Sequence, residues 1–473
     1  MSVGPLGRRR ESKGEGLPRG CLIFGAIFCR HVLLLAAEER PMDFAITVFR
    51  SILGIGLLLL MCYGLSESRN RIRWKLVSYG IGLQIVMALL ILKVALFHDA
   101  IRGVAAFFNR LIGFSNEAAV MIFGTLASDT EGTFGFAFTV LPTIIFFSAF
   151  SAILYYLRIL PCIVYAFAWL MSKTLRLTGA ESLAAAANVF IGQTEAPLVV
   201  RPYLKGMNHS EIMSLMTGGM ATIAGGVLVI YMNVLGGGSG ESAIAFGQHL
   251  LTASILSAPA AMVVAKILVP QLESVDGQLV FPKERFNDGL LDAATQGTRD
   301  GIKLALNVGG MLIAFTALAA LANWLIGEGL GSWTGLNDWV AQITDGRFET
   351  FNFSFMVGAL SAPFAWLIGV AWSDCLIVGQ LLGERLVLNE FIAYLNLAKF
   401  QEAGVFNDSK SVTIATYALC GFANLTSVGI QIGGIGSLEK SQRPTLLKYG
   451  IKALVGGMVA CYLTAIIAAN LIP

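Results

Sequence analysis

One stretch of this chain, residues 183–203, is apolar enough to enter a bilayer but is interrupted near its middle by the polar triplet 193–195. A straight spanning helix needs about 20 apolar residues. Each apolar flank here has only about 8 to 10, or roughly 15 Å of helix, which is half of a membrane. Gly192 allows a sharp turn, and Pro197 suits the first turn of a new helix. The stretch therefore predicts a re-entrant hairpin, in which two half-helices meet at a polar tip, rather than a surface loop between short soluble helices.

The composition places this hairpin in a polytopic membrane protein. Hydrophobic residues make up 56% of the chain and charged residues 13%, and average soluble domains carry about twice that charged fraction. The seven cysteines form no CxxC motif and are expected to be buried small residues, without a disulfide or metal framework. The net charge of +3 is too small to indicate a nucleic-acid partner. We expect an all-α fold with about eight spanning helices, two re-entrant hairpins and broken helices.

Residues 1–41 have no clear assignment. A basic cluster precedes an apolar run that is interrupted by Arg30 and His31. The segment fits a leader, an extra helix, or an extension that is not part of the natural protein. Met42 begins a cleaner start and is the favoured functional N-terminus.

Hydropathy divides the rest of the chain into spanning, interfacial and broken segments. Continuous spanning helices are expected at 44–65, 76–97, 133–157, 249–269, 302–326 and 451–471. Interfacial helices are expected at 101–114, 158–177 and, unless it spans, 353–370. Breaks are expected in the glycine-rich helices 211–235 and 413–438 and in a second hairpin, 374–400. The polar segment 271–300 is expected to be an aqueous loop with an amphipathic end.

Basic loops predict the orientation in the membrane. The loop at 69–75 carries four basic residues, and Lys440, Arg443 and Lys448 precede the last span. Basic loops stay in the cytoplasm. Both loops are therefore expected inside, and the C-terminus outside, in the cytoplasmic (inner) membrane.

The chain contains an internal repeat, which we expect to be inverted. Each half has a half-helix, a carboxylate tip (Glu195 or Glu390), a second half-helix, and a spanning helix with a Gly-x-Ala-polar motif, at 219–222 or 421–424. Duplicated broken helices in corresponding halves are typical of a transporter with its site at the repeat interface. The transport repeats are predicted at 179–270 and 373–473.

The intervening regions are assigned to the surrounding scaffold. Residues 42–178 are predicted to be mainly scaffold and interfacial helices, and 271–372 a polar loop, a scaffold helix and an interfacial helix. An alternative alignment of the repeats matches Gly-x-x-x-Ala-Pro at 192–197 with 358–363. It would move the second tip to Ser361, and it ranks lower because it supplies no carboxylate.

Four polar clusters should converge at the repeat interface. They offer two acids and many hydrogen-bonding groups, with no cation near the tips in sequence: Gln193/Thr194/Glu195, Asn389/Glu390, Thr222, and Asn424 with Ser427. Such a set suits a neutral solute with several hydroxyl groups, because a carboxylate can accept hydrogen bonds from two adjacent hydroxyls. Phe422 offers either an apolar wall for a flat ring or ordinary packing.

At these residues the chain resembles the concentrative nucleoside transporter family, in its bacterial form. The resemblance covers most of the chain after Met42, and three motifs are specific: GQTEAPLVVRP at 192–202, GERLVLNEFIAY at 383–394 and GFANLTS at 421–427. The family motif usually has Lys at the position of Arg385 and Val at that of Ile392, which are mild departures.

The resemblance implies a homotrimer in which a fixed scaffold surrounds a moving transport domain. It implies that Gln193, Thr194 and Glu195 address the nucleobase, and that Glu390, Asn424 and Ser427 hold the ribose, with Phe422 against the base. It places the sodium site at the side chains of Asn188 and Thr222 and the carbonyls of Ile191 and Ile223. Members with broad selectivity share Gly192-Gln193, so pyrimidine and purine nucleosides are both expected.

The expected function is sodium-driven nucleoside import by alternating access in contact with membrane lipid, with no cofactor other than the coupling ion. Proton coupling is the main alternative, because Glu195 or Glu390 could titrate. A channel is disfavoured by the two broken repeats. An intramembrane enzyme is disfavoured because the chain has no HExxH, GxSxG or paired catalytic aspartates.

Overall fold

The computed structural model describes residues 41–128, 136–237, 240–272, 288–344, 346 and 348–472. The chain divides into two compact units, Met1–Arg50 and Ser51–Pro473. Of the first unit, only the beginning of helix α1 (Pro41–Gly64) is described. The described residues form α-helices and short 3-10 and π turns, with no strand among them, which confirms the all-α class. The predictions for residues 1–40 and for 273–287 of the polar loop lie outside the described residues.

Of the first helices after α1, the second is longer than the hydropathy pattern predicts. They are α2 (Trp74–Lys93), α3 (Ala95–Phe123) and α4 (Thr125–Ser128), and a 3-10 turn, Arg69–Arg71, lies in the basic loop before α2. The segment predicted as an interfacial helix at 101–114 is the middle of α3. The polar residues within α3 do not end the helix, because they lie mainly on its exposed face. Mainly small and apolar residues line the buried face.

The first repeat contains a hairpin followed by a broken helix and a continuous one. Before it lie a π turn at Phe136–Val140, α5 (Leu141–Tyr156) and α6 (Ile159–Leu175). The helices within the predicted repeat 179–270 are α7 (Gly179–Phe190), α8 (Ala196–Val199), α9 (Arg201–Leu204), α10 (His209–Ala221), α11 (Gly225–Leu235) and α12 (Glu241–Leu268). Hairpin 1 is α7 to α9, and its break at 191–195 coincides with the predicted polar tip. The glycine-rich helix is divided at 222–224, as predicted.

The second repeat has the same order of elements. Before it lie α13 (Leu290–Trp324), α14 (Ser332–Thr334), α15 (Leu336–Ile343) and α16 (Phe353–Leu367). The helices within the predicted repeat 373–473 are α17 (Cys375–Val387), α18 (Glu390–Glu402), α19 (Ser409–Leu419), α20 (Leu425–Leu438) and α21 (Arg443–Ala469). A π turn (Leu325–Gly331) follows α13, and 3-10 turns precede α17 (Trp372–Asp374) and α21 (Lys440–Gln442). Hairpin 2 is α17 and α18. Residues 358–363 lie inside the continuous helix α16, so the alternative tip at Ser361 is wrong.

Seven of the described helical segments are long and apolar enough to cross a membrane. They are Ile46–Gly64, Trp74–Lys93, Ala137–Tyr156, His209–Leu235, Glu241–Leu268, Leu290–Thr334 and Lys440–Ala469. The number expected from the sequence was eight. The difference arises because the helix expected at 413–438 is divided by the break at 420–424 into two short helices, α19 and α20.

Polar side chains determine where the half-helices begin. A side chain before the first turn accepts a hydrogen bond from a free backbone N–H, which stabilises a helix start. Such caps are made by Thr178 for α7, Asn208 for α10, Asn389 for α18, Asp408 for α19 and Asn424 for α20. The first two form full capping boxes, with Glu181 and Glu211. In the second half of the chain, the polar residues at the two breaks, Asn389 and Asn424, are therefore also the residues that cap the new helices, whereas the helices that follow the breaks of the first half have no side-chain cap.

Candidate functional site

The buried carboxylate of Glu390 is the centre of the candidate site. Glu390 is the first residue of α18, directly after the break in hairpin 2, and it is 6% exposed. Its Oε2 accepts a hydrogen bond from Asn424 Nδ2 at 2.6 Å, and its Oε1 accepts one from the Tyr231 hydroxyl at 3.1 Å. A carboxylate at this depth needs such donors, because an unpaired buried charge is very costly. Hairpin 2 is thus joined at one residue to α11 and to the start of α20.

Tyr231 is a site residue that the sequence analysis missed. It is fully buried in the apolar helix α11, and its ring centroid lies 4.3 Å from that of Tyr394 and 5.9 Å from that of Phe391. An aromatic residue in an apolar helix looks like packing. The available signal was its hydroxyl, because a buried tyrosine usually finds a hydrogen-bond partner.

Asn424 is fixed between the helix break and the carboxylate. Its Oδ1 accepts a hydrogen bond from the backbone N–H of Ser427 at 2.7 Å, which caps α20, while its Nδ2 donates to Glu390. An amide side chain supplies both an acceptor and donors, so one residue can start the helix and bind the acid. Both Asn424 and Ser427 are buried.

Gln193 connects the tip of hairpin 1 to α20. Its Nε2 donates to Ser427 Oγ at 3.0 Å, and its Oε1 accepts from Gln431 Nε2 at 2.9 Å. The structure therefore brings four predicted substrate residues, Gln193, Glu390, Asn424 and Ser427, into one network of hydrogen bonds, here called the Glu390 network. Gln431 was not predicted, because it lies within an apolar, glycine-rich helix with no polar neighbour in sequence.

The other three predicted substrate residues lie outside these hydrogen bonds. Thr194 and Glu195 are exposed and Phe422 is half-buried. Glu195 lines a cavity of about 410 Å³ between hairpin 1, α11, α5 and α13, and Asp300 of α13 lines it too. The cavity is within the size range of small-molecule sites.

Gly192 allows the tip of hairpin 1 to pack against the break between α10 and α11. Its φ is +90°, a conformation that favours glycine. A Cβ atom here would lie 2.5 Å from the Cβ of Ala224. The end of α7, at Ile191, and the break that contains Ile223 are consequently neighbours in the fold.

Asn188 and Thr222, two of the predicted sodium ligands, are in contact. The Thr222 hydroxyl donates to the Asn188 carbonyl and to the Gly218 carbonyl, each at 3.0 Å. Both residues are buried, and neither polar atom of the Asn188 side chain has a hydrogen-bond partner within the described part of the chain. A buried amide in that state needs an explanation. Neutral oxygen donors beside two helix ends, whose last carbonyls lack helical partners, suit a hard monovalent cation.

Each hairpin begins at a polar contact with a following element. At the start of hairpin 1, Glu181 forms an ion pair with Lys266 and accepts a hydrogen bond from Ser214 at 2.9 Å. At the start of hairpin 2, Asp374 Oδ1 accepts hydrogen bonds from the side chain and the backbone of Asn407, at 2.9 and 3.1 Å. We call these the hairpin anchors. Hairpin 1 thus combines a charged start with a neutral tip contact, Gln193–Ser427, whereas hairpin 2 has a carboxylate at both ends, Asp374 and Glu390.

Arg385 lies inside hairpin 2 with its guanidinium fully buried. It donates to the carbonyl of Ala418, at the end of α19, and to Cys461 Sγ of α21 at 3.3 Å. It is 1% exposed. Arg385 is therefore a structural charge that fixes hairpin 2 against the second broken helix.

Comparisons with known proteins show the family of this chain. Three family profiles match in chain order: "Na+ dependent nucleoside transporter N-terminus" at residues 53–126, "Nucleoside recognition" at 137–238, and "Na+ dependent nucleoside transporter C-terminus" at 249–469. An uncharacterized transporter of Haemophilus influenzae is 38% identical over 89% of this chain and 97% of its own length. The nucleoside permease NupC of Helicobacter pylori is 34% identical over 88% of this chain and 96% of its own length. This chain belongs to the concentrative nucleoside transporter family.

Solved structures of another concentrative nucleoside transporter have the same fold. CNTnw in an inward-facing, substrate-bound state matches with a TM-score of 0.80 and 34% identity, over 90% of this chain and 99% of that one. A variant of CNTnw in an outward-facing state matches with a TM-score of 0.79 and 34% identity, over 90% and 97%. The relatives are membrane transporters and not enzymes, which confirms the prediction that this chain has a transport function.

Proposed function

We propose that this chain is a symporter that imports nucleosides across the cytoplasmic membrane, driven by a sodium gradient. The observation that carries the proposal is the Glu390 carboxylate, buried beside Asn424 and Ser427 and joined to hairpin 1 through Gln193. A carboxylate can accept from two adjacent hydroxyls, as in a ribose, and neutral amides can bind a base. Both hairpins contribute, so movement of either one changes access to the solute.

In this proposal the substrate residues divide between the ribose and the base. Glu390, Asn424 and Ser427 hold the ribose, and Gln193 addresses the base. Thr194 and Glu195 complete the base contacts from the cavity side of the hairpin tip, and Phe422 packs against the base. Pyrimidine and purine nucleosides are both substrates.

The coupling ion is sodium, bound by the side chains of Asn188 and Thr222 and the carbonyls of Ile191 and Ile223. The unpartnered amide of Asn188 supplies a free oxygen. The Thr222 hydroxyl donates its hydrogen to carbonyls, so its lone pairs remain for a cation. Because sodium is carried with the nucleoside, the site must open and close with the transport cycle.

The membrane arrangement follows from charge. Glu67 in the first basic loop pairs with Lys448 at the start of α21, at 3.0 Å, so the two basic loops lie together. Both are placed in the cytoplasm and the C-terminus outside. Residues 179–270 and 373–473 form the moving transport domain, and 42–178 and 271–372 contain the scaffold. The scaffolds of three copies form a homotrimer within the lipid.

Uptake into proteoliposomes tests the proposal. With an inward sodium gradient, labelled uridine should accumulate above its outside concentration, and a sodium ionophore should abolish the accumulation. Ribose-free bases and hexoses are the comparison solutes. Sodium-insensitive equilibration of many solutes would instead mean a channel.

Proton coupling is the second candidate, favoured by the buried, titratable Glu390. A proton-coupled carrier would accumulate uridine in sodium-free choline buffer with an acidic outside, and it would ignore a sodium gradient. The same proteoliposomes distinguish the two mechanisms.

A further inference from the structure

A chain of hydrogen bonds runs from the backbone of α10 to the tip of hairpin 1. Gln431 Nε2 donates to the Met216 carbonyl at 3.2 Å and to Gln193 Oε1 at 2.9 Å. Gln193 Nε2 in turn donates to Ser427 Oγ at 3.0 Å. Gln431 is 2% exposed and Gln193 is 7% exposed, so water does not compete freely with these bonds.

The Met216 backbone carbonyl determines the donor and the acceptor of every hydrogen bond in this series. A backbone carbonyl can only accept a hydrogen bond, so the Gln431 atom that faces Met216 must be its NH₂ group. That NH₂ group has two hydrogens, and the second one points at Gln193, which must therefore present its carbonyl oxygen. The NH₂ group of Gln193 is then on the opposite side, towards Ser427.

Gly219 of α10 leaves the space in which Gln431 and Gln193 meet. A Cβ atom at Gly219 would lie 2.6 Å from Gln431 Nε2 and 2.9 Å from Gln193 Cβ. Glycine at this position of α10 is what lets both glutamines reach each other across the helix. The site is therefore built by three elements: α10, α20 and hairpin 1.

We propose that Gln431 is a positioning residue that fixes the amide of Gln193 so that it presents a hydrogen-bond donor to the nucleobase. The inference rests on the proposed function, in which Gln193 addresses the base. One hydrogen of the Gln193 NH₂ group binds Ser427, and the other is left for a ligand. The base atom that Gln193 recognises is consequently an acceptor, either a carbonyl oxygen or an unprotonated ring nitrogen. Without Gln431, the Gln193 amide can rotate by half a turn and accept a donor equally well.

Binding of single-atom analogues tests this assignment. Uridine, 4-thiouridine (in which sulfur replaces the 4-oxo group) and 2-thiouridine (in which sulfur replaces the 2-oxo group) are titrated calorimetrically into the purified full-length protein in sodium buffer. In the wild-type protein, one analogue should bind roughly three- to tenfold more weakly than uridine, the usual effect of losing one hydrogen bond.

The variant Gln431→Met keeps the length of the side chain and removes both donors. It should bind uridine more weakly and lose most of the discrimination against the same analogue, so that uridine and that analogue bind within about twofold. Gln431→Asn, which is too short to reach both partners, should behave in the same way and serves if the Met variant does not fold. Gln84→Met is the matched control, because Gln84 is also buried and donates one hydrogen bond, to Thr464 at 2.9 Å. It should keep the wild-type discrimination.

Three outcomes would overturn the inference while leaving the proposed function intact. Unchanged discrimination in the folded Gln431 variants would make Gln431 a packing residue. An equal loss of affinity for uridine and both analogues would do the same. A wild-type protein that binds all three ligands equally would show that Gln193 reads no acceptor on the base. A wild-type protein that binds no nucleoside at all would instead remove the proposed function, and the inference with it.

Discussion

At the scale of single residues, the Glu390 network buries polar groups at a cost in desolvation free energy that the fold alone does not require. Four polar side chains are buried around a break in a helix, although apolar residues would fill the same volume with fewer desolvated groups. These side chains are hydrogen-bonded to one another. A nucleoside that binds here must exchange its own hydroxyl contacts for some of these bonds, which favours ligands with matching donors and acceptors.

Replacing Glu390 with glutamine tests this network. Glu390→Gln keeps the shape, removes the charge and gives Asn424 a weaker acceptor. Hydrogen bonds to charged groups contribute about 1.5–3 kcal/mol, so uridine affinity should fall roughly ten- to hundredfold, measured by calorimetry and by uptake. Glu384→Gln is the control, since Glu384 is also buried in hairpin 2 but is hydrogen-bonded to Gln380 and Asn396. Wild-type affinity in Glu390→Gln would show that the ribose assignment is wrong.

Replacing Asn188 with alanine tests the ion site. Asn188→Ala removes one of the four proposed sodium ligands, so the sodium concentration for half-maximal uptake should rise several-fold, without uptake becoming dependent on a pH gradient. In the wild-type protein, sodium and uridine should raise each other's equilibrium affinity by the same factor, as linkage requires.

A different pair of results would contradict the sodium site. Equal uridine affinity in sodium and choline buffers, together with uptake driven by a proton gradient, would make Asn188 a packing residue. Ser182→Ala is a suitable control, because Ser182 is a buried polar residue of the same helix, α7.

At the scale of elements, the tip of hairpin 1 packs closely against the break between α10 and α11. Gly192→Ala should destabilise the protein by about 2–4 kcal/mol, because a positive φ costs a side chain about 1–2 kcal/mol and the new Cβ meets Ala224 at 2.5 Å. Thermal unfolding in detergent measures the effect. Gly404→Ala is the control, since Gly404 has a φ of +63° with open space around it. An equal effect of both substitutions would remove the contact with Ala224 from the explanation.

The elements could be predicted where an apolar stretch is interrupted. A polar triplet, a proline and a glycine indicated hairpin 1, and glycine-rich sequence indicated the broken helices. In the second half the residues that interrupt hydropathy, Asn389 and Asn424, are also the caps of the new helices. The length of α3 could not be predicted from hydropathy. Its polar residues lie on one face, and a linear hydropathy pattern does not separate a polar face from the end of a helix.

The site could be predicted only in part. Gln193, Glu390, Asn424 and Ser427 stand out because they are polar residues at breaks. Tyr231 and Gln431 do not, since each lies within an apolar helix and gains its role from a partner far away in sequence. Which polar residues pair with each other is decided by tertiary packing, and one sequence carries no direct signal of it.

At the scale of the whole molecule, Glu67 links the loop between α1 and α2 to the start of α21. Its carboxylate accepts a hydrogen bond from the Tyr449 hydroxyl at 2.8 Å and pairs with Lys448, while Lys452 lies at 3.6 Å. His209 Nδ1 lies 3.4 Å from the same hydroxyl. Burial opposes the charge of Glu67, but these donors and cations outweigh it and lower the pKa of Glu67 below its usual value of 4.5.

The pH dependence of stability follows from that direction. The pKa of Glu67 is lower in the folded protein than in the unfolded chain. The ionised carboxylate therefore contributes fully to the free energy of unfolding at pH values above its pKa in the unfolded chain. This contribution is lost as the pH falls through its pKa in the folded protein. Glu67→Gln should therefore lower the melting temperature at pH 7, and the difference from wild type should shrink as the pH falls below about 5. Glu402→Gln, an exposed carboxylate on α18, is the control. A difference that is constant with pH would show that Glu67 acts through its shape and not its charge.

The start and the tip of hairpin 1 differ in how strongly they are held, and this difference sets an order of events in time. Removing one partner of a buried ion pair such as Glu181–Lys266 costs about 3–5 kcal/mol, whereas a neutral hydrogen bond such as Gln193–Ser427 contributes about 0.5–1.5 kcal/mol. Thermal fluctuations should therefore release the tip of hairpin 1 far more often than its start. Hairpin 1 then behaves as a lever with a fixed end and a frequently released end, so a solute can meet an open tip without any loss of the fold around it, whereas hairpin 2 has the charged group Glu390 at its tip.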